Sequence, residues 1–75
     1  MPIVIFYSTE GCHLCDSAKA LINQATDQPI SEVDIADDDT LLQRYGWRIP
    51  VLHRQDNQQE LDWPFTDQQL EEFLN

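Results

Sequence analysis

Cys12-His13-Leu14-Cys15 sits where the backbone pattern of this chain switches, and that junction constrains the fold more than any other feature. Before it, Ile3-Val4-Ile5-Phe6-Tyr7 is a β-branched and aromatic run with the character of a strand, and Gly11 follows as a breaker. After it, Leu14, Ala18, Leu21, Ile22 and Ala25 recur at helical spacing, which predicts a helix from about Cys12 to Ala25. The first thiol then lies at a helix N-terminus. Unpaired N–H groups there favour the thiolate, and Cys15 is placed to trap or resolve a disulfide formed on Cys12. The reading is redox chemistry.

Other accounts of the pair are weaker. A structural staple across such close positions removes little entropy from the unfolded chain, and these are the only two cysteines. Zinc asks for four ligands, and Cys12, Cys15, His53 and His13 lack the usual spacing of two ligand pairs, so no metal site is expected. Haem attachment needs a histidine directly after the second cysteine, where Asp16 stands.

The chain of 75 residues reads as one domain, residues 1–75, near the lower size limit for a self-supporting core. Its 14 acidic side chains against four basic ones give a formal net charge of −10, which argues against nucleic acid and anionic membrane surfaces as partners. A basic or neutral partner is easier to accommodate, although solubility alone also accounts for the charge. No charged leader with a long apolar stretch opens the sequence, so the expected location is cytoplasmic. Disulfides in that compartment are transient and catalytic, in agreement with the thiol reading.

The remaining elements follow from local signals. Ile30 to Ile35 alternates at period two and reads as a strand. Asp37 to Asp39 can cap a short helix carrying Leu41, Leu42 and Tyr45, with Gly46 suited to its C′ position. Val51–Arg54 and Glu60–Trp63 read as a hairpin turning around Asp56-Asn57, residues that tolerate left-handed geometry. Thr66 and Gln69 have capping-box spacing, Phe65 and Leu70 fall at hydrophobic-staple positions, and Leu70, Phe73 and Leu74 form the stripe of a last helix. The order is βαβαββα, an α/β chain with a four-stranded mixed sheet flanked by helices.

With that order in place, the whole chain resembles a minimal thioredoxin fold, and specifically a glutaredoxin. The resemblance rests on Phe6-Tyr7-Ser8 leading into Cys12-x-x-Cys15 and on Ile49-Pro50-Val51 before the third strand. It implies a cis Pro50 with the backbone of Ile49 facing the reactive sulfur. The segment Glu60-Leu61-Asp62-Trp63-Pro64-Phe65 together with Cys-His-Leu-Cys is similar to a small bacterial glutaredoxin-like family. The implied activity is thiol-disulfide exchange on a protein or small-molecule disulfide by a monomer without a tightly bound cofactor. Catalytic residues would be Cys12 and Cys15, with His13, Ile49, Pro50 and Trp63 on the substrate side.

Glutathione is a possible co-substrate by resemblance, but the residues oppose it. Dithiol glutaredoxins commonly hold it with a lysine three residues before the first cysteine and a Gly-Gly-acidic segment before the last helix; here Thr9 takes the first position and Asp62 to Asp67 contains no glycine. Glu10, Asp16 and Asp67 add negative charge, leaving Arg44 and Arg48 as the cations able to meet an anionic substrate. A redox-silent protein-binding module, with Trp63 in its groove, and an iron–sulfur carrier are the alternative functions.

Overall fold

Side chains along a strand alternate between the two faces of a sheet, and here each face is covered by a different layer. The computed structural model describes residues 3–74. Its elements are β1 (Val4–Ser8), α1 (His13–Ala25), β2 (Ser31–Asp34), a 3-10 turn (Ile35–Asp37), α2 (Asp39–Tyr45), β3 (Val51–Arg54), β4 (Glu60–Asp62) and α3 (Asp67–Leu74). The strands lie in the order β2-β1-β3-β4. β1 runs parallel to β2 and antiparallel to β3, which pairs antiparallel with β4. This is the mixed sheet and the thioredoxin-like fold that the element order implies.

Val4 and Phe6 of β1 and Leu52 of β3 share one face, where Cys15, Ala18 and Ile22 of α1 meet Phe65, Leu70, Phe73 and Leu74. Tyr7 and Val51 point to the other face and pack with Ile35 and Tyr45. Phe6 pairs in register with both Glu32 and Leu52, so β1 is the central strand on which both layers depend. Among the described residues, no helix is long and apolar enough to cross a membrane.

The caps follow the sequence signals closely. Asp38, the middle aspartate of the triplet, accepts from the N–H groups of Thr40 at 2.8 Å and Leu41 at 3.2 Å and so starts α2. Thr66 N–H donates to Gln69 Oε1 at 2.9 Å while Gln69 N–H donates to Thr66 Oγ1 at 3.1 Å, the reciprocal pair expected before α3. At the other end of α3, Arg54 Nη1 donates to the Phe73 carbonyl at 2.6 Å, which satisfies one of its otherwise open acceptors.

Several local expectations give way to tertiary geometry. Cys12 caps α1 from outside the helix. The buried stripe of α1 runs through Cys15, Ala18 and Ile22, while Leu14 is 54% exposed and Ala25 faces solvent. β1 extends to Ser8, β2 ends at Asp34 because Ile35 turns inward as the start of the 3-10 turn, and β4 stops at Asp62. Gly46 is right-handed; its value is a close approach, because a Cβ there would lie 2.5 Å from the Leu42 carbonyl oxygen. In the hairpin the left-handed residue is Gln58, at φ 60°, while Asn57 uses its side chain to accept from Gln59 N–H at 3.0 Å.

Candidate functional site

β1 delivers the chain to the site and Gly11 turns it, at φ 81°, a conformation that side-chain-bearing residues rarely adopt. Cys12 follows in extended geometry as the cap of α1, and its Sγ accepts the Cys15 N–H at 3.1 Å. Its carbonyl accepts the Asp16 N–H at 3.2 Å, closing the first turn. Cys12 and Cys15 form a disulfide, with Cα atoms 5.2 Å apart. Helical phase separates the two sulfurs: Cys15 shares the inward face with Ala18 and Ile22 and is 4% exposed, while Cys12 at the helix start is half-buried.

The second part of the site is the segment between α2 and β3. The Tyr45 carbonyl accepts the N–H groups of Arg48 at 2.8 Å and Ile49 at 3.1 Å, turning the chain into a cis Ile49-Pro50 bond. The buried Pro50 accepts the Trp63 N–H at 3.1 Å through its carbonyl, which joins the segment to the strand-end region after β4. Ile49 and Trp63 pack against the same apolar cluster as Cys12, and Trp63 meets Phe65 edge-on at 5.0 Å. Thus Cys12, Cys15, Ile49 and Trp63 border one core. His13 stays exposed on the first turn of α1, and among the described residues it makes no hydrogen bond or ion pair.

The opposite face of the sheet braces the proline segment. Tyr45 stacks on Tyr7 at 4.4 Å and donates its hydroxyl to Glu60 Oε2 at 2.5 Å. Arg48 donates to Glu60 Oε1 at 2.8 Å and to both oxygens of Asp62 at 2.8 and 3.0 Å, and its guanidinium also lies over the Tyr45 ring. Burial, with the Glu60 hydrogen bond second, pushes the Tyr45 hydroxyl up to about 12. Burial alone would raise the Glu60 carboxyl, but hydrogen bonds from Tyr45, Arg48 and His53 outweigh it and bring the group down to about 2. Arg48 is therefore committed to β4 and is not a free cation for an anionic substrate; Arg44 lies exposed over the outer side of Tyr45.

His53 belongs to this second face, 3.3 Å from Glu60 and beside Tyr7, away from the cysteines. Among the described residues no three His, Cys, Asp or Glu side chains are grouped to hold a metal. Three features had no counterpart in the sequence reading: the Tyr45–Glu60–Arg48–Asp62 network, a second cis bond at Trp63-Pro64, and Trp47, which is 100% exposed two residues before Ile49. The alternation of Glu60 and Asp62 in β4 was the available signal for the network, since it places both carboxylates on one face.

Comparison with known proteins agrees with this geometry. No curated protein matches the chain. The X-ray structure of protein XcR50 from X. campestris is 39% identical, with 95% of this chain and 93% of that chain covered at a TM-score of 0.86. The solution structure of protein Ne2328 from Nitrosomonas europaea is 26% identical, with 95% and 87% covered at a TM-score of 0.71. The description glutaredoxin-like domain (DUF836) matches residues 3–75. A paired C-x-x-C at a helix start fits a thiol redox role, and on that match over nearly its whole length the chain belongs to the glutaredoxin-like domain family.

Proposed function

We propose that the protein is a cytoplasmic, monomeric thiol-disulfide oxidoreductase that works without a tightly bound cofactor. The observation that carries this reading is the unequal placement of the two sulfurs. Cys12 is the more accessible and takes a backbone N–H at the start of α1, while Cys15 is buried one turn below it. An N–H donor and the helix terminus both favour the Cys12 thiolate.

In the reaction, the Cys12 thiolate attacks one sulfur of a substrate disulfide, forming a mixed disulfide and releasing the other sulfur, which takes a proton. Cys15 then loses its proton and attacks Cys12 Sγ. The second substrate thiol leaves, and the Cys12–Cys15 disulfide remains. The substrate gains two electrons from the protein and two protons, one given up by Cys15 and one taken from solvent, into which Cys12 ionised before attack. Ile49, Pro50 and Trp63 shape the surface against which the substrate lies, and His13 adds a polar contact on the exposed turn.

Alkylation of the reduced protein near neutral pH should modify Cys12 first, with a thiol pKa below the free value of about 8.5. Preferential labelling of Cys15 would overturn the assignment of roles. Cys15→Ser should accumulate a mixed disulfide on Cys12, whereas Cys12→Ser should show no turnover. A redox-silent binding module would instead show two slow, ordinary thiols.

Glutathione should be a poor partner. Thr9 stands where a lysine would help, and Arg48 is held by Glu60 and Asp62. Glutathione-coupled turnover should be slow beside reduction of a protein disulfide, and should improve as salt screens the repulsion. Efficient glutathione turnover at low ionic strength would return the protein to the ordinary dithiol glutaredoxins.

A further inference from the structure

A groove of about 430 Å³ opens on the side of the disulfide away from the proline segment, with Phe6, Ser8, Glu32 and Asp34 as its strand floor and Cys15, Asp16 and Lys19 as its helical wall. The register explains the floor: Ser8 pairs with Asp34 and Phe6 with Glu32 across β1 and β2, so their side chains share one face. Glu10 and Gly11, which immediately precede Cys12 in the chain, also line the groove.

Charge in the groove is unbalanced. Lys19 is held by Glu32 at 3.0 Å. Asp34 Oδ1 accepts only from neutral groups, the Thr9 hydroxyl at 3.0 Å and the Ala36 N–H at 2.9 Å. Among the described residues, Glu10, Asp16 and Asp34 have no cationic partner.

A second observation is independent of charge. Ser8 is only 6% exposed and lines the groove, and its hydroxyl, which forms no hydrogen bond among the described residues, is not sealed in the core but opens into the groove. That hydroxyl is an uncommitted acceptor at the groove floor, available to an occupant with an N–H to donate.

We propose that the groove seats a lysine or arginine side chain carried beside the cysteine of a polypeptide disulfide substrate. The assignment rests on the exchange reaction above and names its substrate class. Gly11 and Cys15 both line the groove and Cys12 lies between them in the chain, so a substrate joined to Cys12 brings its flanking residues to the groove mouth. The aliphatic stem covers Phe6, and the cationic head meets the carboxylates and the Ser8 hydroxyl. An acidic flank meets three uncompensated carboxylates and is rejected.

The test uses peptide disulfides that are identical except for Lys, Ala or Glu beside the cysteine. With reduced protein at low ionic strength, kcat/KM should fall in the order Lys, Ala, Glu, with about a tenfold span between the ends that collapses in about 1 M salt. Ser8→Ala with Asp34→Asn should bring the Lys-to-Ala ratio toward one, the asparagine still accepting from Thr9 and Ala36. If that variant does not fold, Glu10→Gln with Asp16→Asn, both on exposed residues, provides the same readout. Equal rates for all three peptides in the wild type would overturn the proposal.

A separate arm removes the chemistry. Titrating the oxidised protein with a cysteine-free lysine peptide should shift the amide NMR signals of Ser8, Thr9 and Asp34, and the matching glutamate peptide should not. Those shifts without any turnover would uphold the groove and reject disulfide exchange, whereas turnover without the shifts would reject the groove alone.

Discussion

The face of the sheet under α1 and α3 and the face under α2 each hold half of the cysteine–proline site, and they do so by different means. The first is almost wholly apolar: Leu52, Leu70 and Ala18 are completely buried, and the cysteine pair is seated on that packing. The second combines stacked tyrosines with a carboxylate–guanidinium network, and the proline segment is tied to it through Tyr45 and Arg48. Apolar packing is non-directional and contributes bulk stability, whereas the network fixes orientation. A small domain that must hold two chain segments at one site uses packing to seat the helix and hydrogen bonds to orient the loop.

If that contrast is right, the largest effect comes from the apolar face. Leu52→Ala should cost about 2–5 kcal/mol in urea denaturation, a large share of the roughly 5–15 kcal/mol available to a domain. A loss below about 1 kcal/mol would mean that the apolar face is not the main support.

The network should show a smaller effect with a pH signature. Glu60→Gln should cost about 1.5–3 kcal/mol near neutral pH, because Arg48 and Tyr45 lose a charged acceptor. The carboxyl of Glu60 is depressed from 4.5 to about 2, so its contribution is present above pH 4.5 and is lost as pH falls toward 2. The difference between wild type and variant should therefore shrink across that window, and a difference that stays constant would break the assignment. The Tyr45 hydroxyl is raised from 10.0 to about 12, so the wild type should lose stability as pH climbs through that interval, a slope that Tyr45→Phe removes. One hydrogen bond contributes to both shifts, so the two are not additive.

The smallest effect lies at the margin of the apolar face. Thr66→Ala removes half of the reciprocal cap of α3 and should cost about 1 kcal/mol, lowering the thermal midpoint by roughly 4–8 °C. No change in the midpoint would mean that α3 is held by Leu70, Phe73 and Leu74 alone.

The sequence by itself determined the order of elements, because strand alternation, helical spacing and caps are local. Asp38 and the Thr66–Gln69 pair are read within a few residues of where they act. It also determined the likeness to glutaredoxins, through Cys12-x-x-Cys15 and Ile49-Pro50, whose spacing along the chain is part of the pattern. The tertiary structure alone decided which cations are free: Arg48 lies 12 and 14 residues from the two carboxylates that hold it, and nothing local relates them until β4 pairs with β3. It decided equally that Cys15 rather than Leu14 faces the core, and that Ser8 stands beside Asp34 in an acidic groove. Burial and charge pairing depend on which distant segments share a face, and only the assembled sheet determines that.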